Sequence, residues 1–377
     1  MAIYFLHECE NKSTEEVGNK ARNVGWLIKN GFSDLDGVVV SSGEFSPMIR
    51  FVWSWGYSEL ARKRGYSKFF VENGYLKTLK RDAEAGKYAE FSILSEELKA
   101  LFRDSIQEKN TNAKLTQIKD EVKKKLNELK CKYVYVRSSS NIEDSEDKTY
   151  AGVFVSIPLL FEKFDNAFLD VVLEVLSGIF REEALVILIV KYDNFKEFRN
   201  LNMAFIFQKM ENPCPLISGH VRFTHYGGLL IEMAQGLGAA IMPLIFYTPP
   251  PNETNKEEDE VIYRYLSKKY KGISPVSVTV VNDRMQISHI TQEIMYTIDE
   301  YKGWGITILQ CEIQLNKEEY INTAREVIKI LKEVKRKFPS NKEFLVEFVK
   351  WNKDKIDLVQ IRPAPVKQLG QEKMGEL

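Results

Sequence analysis

Tyr133-Val-Tyr-Val-Arg137 alternates aromatic and β-branched side chains and ends on a cation. It runs on into Ser138-Ser-Ser140, the acids Glu143 and Asp144, and the small-residue turn Thr149-Tyr-Ala-Gly152. Period-two alternation marks a half-buried strand, so Arg137 is expected at the strand's mouth with the three serines just beyond it. A guanidinium fork beside hydroxyls and free backbone N–H groups suits a polyanion such as a nucleotide's phosphates. The same residues also read as a strand running into a polar loop. Local pattern alone leaves both readings open.

The chain has 377 residues, enough to bury a full core in one large domain or two lobes. Lys plus Arg and Asp plus Glu both number 53, so the net charge is zero and no global basic field points to nucleic acid. Cys9, Cys131, Cys214 and Cys311 are scattered without a Cys-x-x-Cys pair, which fits a reduced compartment and implies neither a zinc site nor a disulfide framework. No signal peptide is visible, and the apolar run from Ala184 to Val190 is too short to span a bilayer. The expectation is a cytoplasmic protein with no membrane or nucleic-acid partner.

Elements of both kinds follow one another. Val17, Ala21, Val24, Leu27 and Ile28 form a helical stripe that Gly31 would stop, and Leu115, Ile118, Val122, Leu126 and Leu129 form another leading into the Arg137 strand. Val186–Lys191, Met203–Lys209, Gly219–Thr224, Leu229–Met233, Phe344–Lys350 and Lys355–Ile361 read as strands. Asn316 with Glu319 makes a capping box for a helix running to about Lys337. The pattern is α+β with mainly antiparallel sheets.

Two further segments suggest chemistry from their residues alone. Gly18 and Lys20 sit at the opening of a helix, where unpaired N–H groups and the dipole favour phosphate, although a lysine there is also commonly just solvated. Glu347 and Gln360 offer hard oxygens of the kind Mg²⁺ takes. Arg362 follows Gln360 by two positions and so leaves the same strand face, which would let metal and guanidinium share phosphates. Either strand taken singly also reads as an ordinary polar edge.

The segment from Arg137 to Gly152 resembles the Arg-Ser-Ser-Ala-Thr-x-Glu-Asp…Ser-Phe-Ala-Gly signature of phosphoenolpyruvate synthases, pyruvate phosphate dikinases and rifampin phosphotransferases. Glu16-Val-Gly-Asn-Lys-Ala21 resembles that family's Val-Gly-Gly-Lys opening, and Gly37-Val-Val-Val-Ser-Ser42 its Gly-Phe-Val-Val-Thr-Thr strand. Gln208-Lys-Met210 resembles Gln-Arg-Met, Ser218-Gly-His-Val-Arg-Phe-Thr224 resembles Ser-Gly-Val-Met-Phe-Thr, and Ile231 to Gly238 resembles the segment ending Gly-Leu-Gly-Glu. Phe344-Leu-Val-Glu347 with Leu358-Val-Gln-Ile-Arg-Pro363 resembles Asp-Ile-Glu-Trp…Val-Gln-Ala-Arg-Pro. This sequence departs from the pattern at Asn19, Ala239 and Leu345, which stand for a glycine, a glutamate and an aspartate. His220 and Arg222 replace apolar residues, and His220 reads as a surface-facing strand position.

The resemblance implies a two-lobed ATP-grasp-like fold with nucleotide between lobes 1–208 and 209–366, followed by a tail at 367–377. It implies ATP and Mg²⁺, with Lys20, Arg137 and Arg362 as catalytic phosphate contacts and Glu347 and Gln360 as metal ligands. Gln208 and Met210 would pass the adenine, and Thr149, Ala151 and Gly152 would form a flap over the triphosphate. The swivelling domain's Gly-Gly-x-Thr-Cys-His-type motif and the pyruvate barrel have no counterpart here, so an ATP-binding domain alone is expected. The implied activity is that of one subunit of a split dikinase, which uses ATP to phosphorylate a histidine on a separate protein, as in phenylphosphate synthase. A direct kinase and a non-catalytic nucleotide-binding regulator are the alternatives.

Overall fold

The computed structural model describes residues 2–51, 62, 65, 74–108, 111–141, 154–192, 201–223, 228–237, 257–269, 276–281, 284–288, 294–310, 315–338 and 344–363. Within them the fold is α+β, built on antiparallel sheets. The strands are β1 (Ile3–Phe5), β2 (Gly37–Val40), β3 (Tyr133–Ser140), β4 (Ser156–Leu160), β5 (Met203–Met210), β6 (Ile217–Phe223) and β7 (Leu229–Ala234). They continue with β8 (Val276–Val281), β9 (Arg284–Ser288), β10 (Ile294–Ile298), β11 (Ile306–Gln310), β12 (Phe344–Lys350) and β13 (Ile356–Pro363). The α-helices are α1 (Thr14–Lys29), α2 (Ser46–Phe51), α3 (Leu76–Glu84), α4 (Ala89–Glu108), α5 (Thr111–Glu128), α6 (Phe164–Ser177), α7 (Glu182–Tyr192), α8 (Glu257–Lys269) and α9 (Lys317–Lys337).

A five-stranded sheet has the order β1-β2-β5-β3-β4, and a six-stranded sheet the order β13-β12-β6-β7-β8-β9; β10 and β11 pair separately. Alternation decides what each face meets. On the first sheet, Val38, Val134, Val136, Phe205 and Phe207 point into a large core shared with α3 to α8. Val39, Ala204 and Ile206 point the other way, onto Val17, Ala21 and Val24 of α1. On the second sheet, the cross-strand row Ile361–Val346–Val221–Ile231–Val278 is apolar. It packs on Tyr320, Ala324, Val327, Leu331 and Val334, a stripe spaced at three and four residues along α9. The Asn316–Glu319 capping box opens that helix as the sequence indicates, and Lys335, Arg336 and Lys337 close it against the negative end of its dipole.

Helix α1 joins the two sheets. Its Trp26 and Leu27 belong to the second sheet's core, while Val17, Ala21 and Val24 belong to the first. The turn after it continues the join: Leu358 N donates to Phe32 O at 3.0 Å, and Asp34 N donates to Asp357 Oδ1 at 2.7 Å.

Two expectations are corrected here. Val186–Lys191 is not a strand but lies within α7, whose residues from Ala184 to Val190 are all buried. A helix enclosed on every side shows no polar stripe, so its apolar run matches a buried strand equally well; its length and the acids Glu182 and Glu183 in its first turn are the distinguishing marks. The serines are likewise not beyond the Arg137 strand. β3 continues through Ser140, because β5 keeps pairing it: Ser138 with Phe205, Ser139 with Ala204, Ser140 with Met203.

Candidate functional site

Glycine and serine shape the entry to the site. Gly18 interrupts α1 with φ +75°, and a Cβ there would stand 2.3 Å from Ser139 Oγ and 2.4 Å from Ser139 O. Only glycine fits both the backbone and the gap. The break strands two backbone groups, and one hydroxyl satisfies both: Ser139 Oγ donates to Val17 O at 2.7 Å and accepts from Ala21 N at 3.0 Å. Lys20 thus sits, buried, where the helix resumes against β3.

Two residues back along β3, on the same face as Ser139, Arg137 crosses from the first sheet to the second. Its Nη1 donates to Gln208 Oε1 at 3.0 Å on β5 and to Val359 O at 2.8 Å on β13. Its Nη2 donates to Gln360 Oε1 at 2.7 Å and lies 3.8 Å from a Glu347 carboxylate oxygen. Gln208 is fixed in turn by donating to Leu35 O at 3.1 Å, and Arg362 Nη2 meets Glu347 at 3.2 Å. A buried guanidinium loses several kcal/mol of hydration, and only a dense set of acceptors offsets that. Arg137 is 3% exposed and has such a set, drawn from three strands and both sheets.

Arg137, Gln208, Glu347, Gln360 and Arg362 therefore converge. Lys20 stands on the adjoining helix. Met210 does not join the polar group; it packs with Leu35, Ala234, Leu237, Ile298 and Trp351 in an apolar cluster beside it. Thr149, Ala151 and Gly152 lie outside the described residues.

The sequence underestimates the second sheet's polar face. Gln360, Glu347, His220, Glu232 and Ser277 form one row across five strands. His220 is fully buried in it, not surface-facing. Alternation sends Val221 into the α9 core and His220 to the opposite face, but at His220, Glu232 and Gln360 that face is closed to solvent as well. Burial, then the charges of Arg362 and Arg222, push the imidazole well below its ordinary range and keep it neutral. Burial likewise raises the Glu232 carboxyl, opposed by Arg222, whose Nε lies 3.5 Å away. The departures from apolar residues at His220 and Arg222 were the available signal, since two polar side chains two positions apart must share a face.

The donor set suits a divalent ion. Glu347 and Gln360 turn their oxygens toward one cation, the Nη2 edge of Arg137, so two hard ligands already converge on a single positive centre. Among the described residues no group of three or more His, Cys, Asp or Glu side chains can hold an ion unaided.

The family of the pyruvate phosphate dikinase AMP/ATP-binding domain matches residues 60–376. The chain belongs to that family. The matched span contains Arg137, Gln208, Glu347, Gln360 and Arg362, while Lys20 and the Gly18 break precede it. Membership in an AMP/ATP-binding domain family supports nucleotide binding and a phosphotransferase-related role for this dikinase-family chain. No curated protein matches it. No helix among its described residues is long and apolar enough to cross a membrane.

Proposed function

We propose that the chain binds ATP with Mg²⁺ between its two sheets, in an ATP-grasp-like arrangement of lobes 1–208 and 209–366. It then delivers phosphoryl groups to a histidine on a separate swivelling-domain protein. The observation that carries this reading is the Arg137 bridge, which gathers Gln208, Glu347, Gln360 and Arg362 around one buried cation.

Phosphoryl transfer asks a protein mainly for position and for charge opposite the phosphate oxygens. Arg137 and Arg362 would supply guanidiniums and Lys20 an ammonium. Glu347 and Gln360 would hold the metal, which would supply positive charge against the phosphates. Gln208 and Met210 would line the adenine, and Thr149, Ala151 and Gly152 would close over the triphosphate. Release of AMP means that the histidine nitrogen bonds to the β-phosphorus as its bond to the α-phosphate oxygen breaks. Water then displaces the terminal phosphate and leaves phosphohistidine. A cytoplasmic location fits cysteines that form no Cys-x-x-Cys pair.

A second reading, a nucleotide-binding regulator without turnover, is favoured by Leu345, which puts a hydrocarbon side chain opposite Arg362. One assay separates the two: incubation with ATP and Mg²⁺, with and without a histidine-domain partner, followed by quantification of AMP. AMP that depends on the partner supports the split dikinase. Nucleotide binding with no AMP under either condition supports the regulator. On the first reading, Glu347→Ala and Arg362→Ala each abolish AMP release, and unchanged release in both variants would place the site elsewhere.

A further inference from the structure

The turn after α1 connects β13 to Arg137 by a second route. Asp357 of β13 is 2% exposed, and both of its carboxylate oxygens are engaged. Oδ1 accepts from Asp34 N at 2.7 Å, and Oδ2 accepts from Trp351 Nε1 at 2.8 Å. Lys355 Nζ stands 3.9 Å from the same carboxylate. A buried carboxylate is costly without such partners. Trp351 and Leu35 also belong to the apolar cluster around Met210, so packing and hydrogen bonds tie the same pieces together.

One residue past Asp34, the turn presents a carbonyl to Gln208. Gln208 Nε2 donates to Leu35 O at 3.1 Å, and Gln208 Oε1 accepts from Arg137 Nη1 at 3.0 Å. The first bond decides the second. With its NH₂ group spent on Leu35, the amide offers its oxygen to Arg137, whereas a flipped amide would set donor against donor. Arg137 Nη1 also donates to Val359 O at 2.8 Å, two residues from Asp357. The contacts therefore close a circuit from Asp357 through the turn, Gln208 and Arg137 back to β13. The far end of the turn is fixed by β5, where Lys209 N donates to Asp36 O at 2.8 Å. Its near end is held by β13, through Asp357 on Asp34 N and through Leu358 N on Phe32 O.

Resting on the nucleotide-binding reading above, we propose that Asp357 is a positioning residue of the phosphate site: it holds the turn that orients Gln208, and through Gln208 it aims the Arg137 guanidinium. Asp357 acts through the turn and the amide and is not itself a phosphate contact. Gln208 lies in Arg137's own sheet, on the neighbouring strand. It can therefore steady the guanidinium while phosphate oxygens take over from the partners on β13. A guanidinium held in one orientation loses less freedom on binding than one that must be ordered by the ligand.

The experiment is a double-mutant cycle on the affinity of the full chain for ADP, measured by calorimetry in excess Mg²⁺. Asp357→Asn keeps the side chain's shape but sets an NH₂ group against one of two donors, Asp34 N or Trp351 Nε1. It should weaken ADP binding at least about tenfold. In a Gln208→Met background, where the amide link is gone, the same change should weaken binding less than about twofold. A merely structural Asp357 would lower the urea midpoint but leave the folded chain's affinity alone, or lower it by the same factor in both backgrounds. Three outcomes overturn the role of Asp357 while leaving the nucleotide site standing. They are wild-type affinity in Asp357→Asn, equal factors in the two backgrounds, or, should Asp357→Asn fail to fold, wild-type affinity in Trp351→Phe. That last variant removes the indole donor to Asp357 and keeps a ring in the apolar cluster, and it should weaken ADP binding at least about threefold. Absence of ADP binding by wild type overturns this proposal together with the nucleotide-binding reading beneath it.

Discussion

Burial raises the Cys9 thiol from 9.0 to about 12 and Cys131 to about 11; the hydrogen bond to Glu16 raises the Tyr4 phenol from 10.0 to about 12. In each case the unfolded chain sheds its proton first as pH rises, so folding stability is intact below about pH 9 and declines through the folded values. Urea midpoints measured from about pH 8 to about pH 11 should therefore fall steadily, and Cys9→Ala should flatten the slope; a slope identical to wild type would mean that Cys9 contributes nothing to it. Single side chains also mark where sequence stops being informative. Arg137 is legible because alternation ends on it, Glu347, Gln360 and Arg362 from donor chemistry and spacing, and the family pattern adds Gln208. These five do meet, though Met210 stands apart from them in an apolar cluster. Ser139 is read only as a loop hydroxyl, since its job depends on Val17 and Ala21, more than a hundred residues earlier. His220 is misread because alternation reveals that a side chain leaves the core face, not whether a second layer covers it.

At the level of elements, local codes with local physics read well. The Asn316–Glu319 box satisfies backbone groups within one turn, so the start of α9 needs no tertiary information. Asn316→Ala should cost about 1 kcal/mol in urea unfolding, and a loss below the error of the measurement would mean that solvent caps the helix equally well. Gly31 after α1, the strand β12 and most of β5 and β13 are legible for the same reason. Helix α7 is not. Packed against α3, α4 and α8, it lacks the polar stripe that would betray a 3.6-residue period. Strand order is also hidden: β5 inserts between β2 and β3 across long stretches of chain, a choice made by matching core faces.

For the whole molecule, ligand and fold are linked by mass action. Excess ADP with Mg²⁺ at about one hundred times its dissociation constant should stabilise the chain by about 2.7 kcal/mol, read as a rise in melting temperature. Arg362→Ala should cancel most of that rise, and an equal rise in the variant would dissociate Arg362 from nucleotide. Arg137 gives this linkage an unusual form. Its fork is a polar clasp between two sheets that α1, the turn after it and the apolar cluster around Met210 and Ala234 also join, and its present partners are carbonyl, amide and carboxylate oxygens. Phosphate oxygens compete for the same N–H groups. On the proposed reading, a polyanion that captured the guanidinium would unfasten Gln360 and Val359 from β3, exchanging an internal rivet for the cargo. Departure of the anion would re-fasten the halves, so that reading makes the empty protein the one more tightly clasped across this seam.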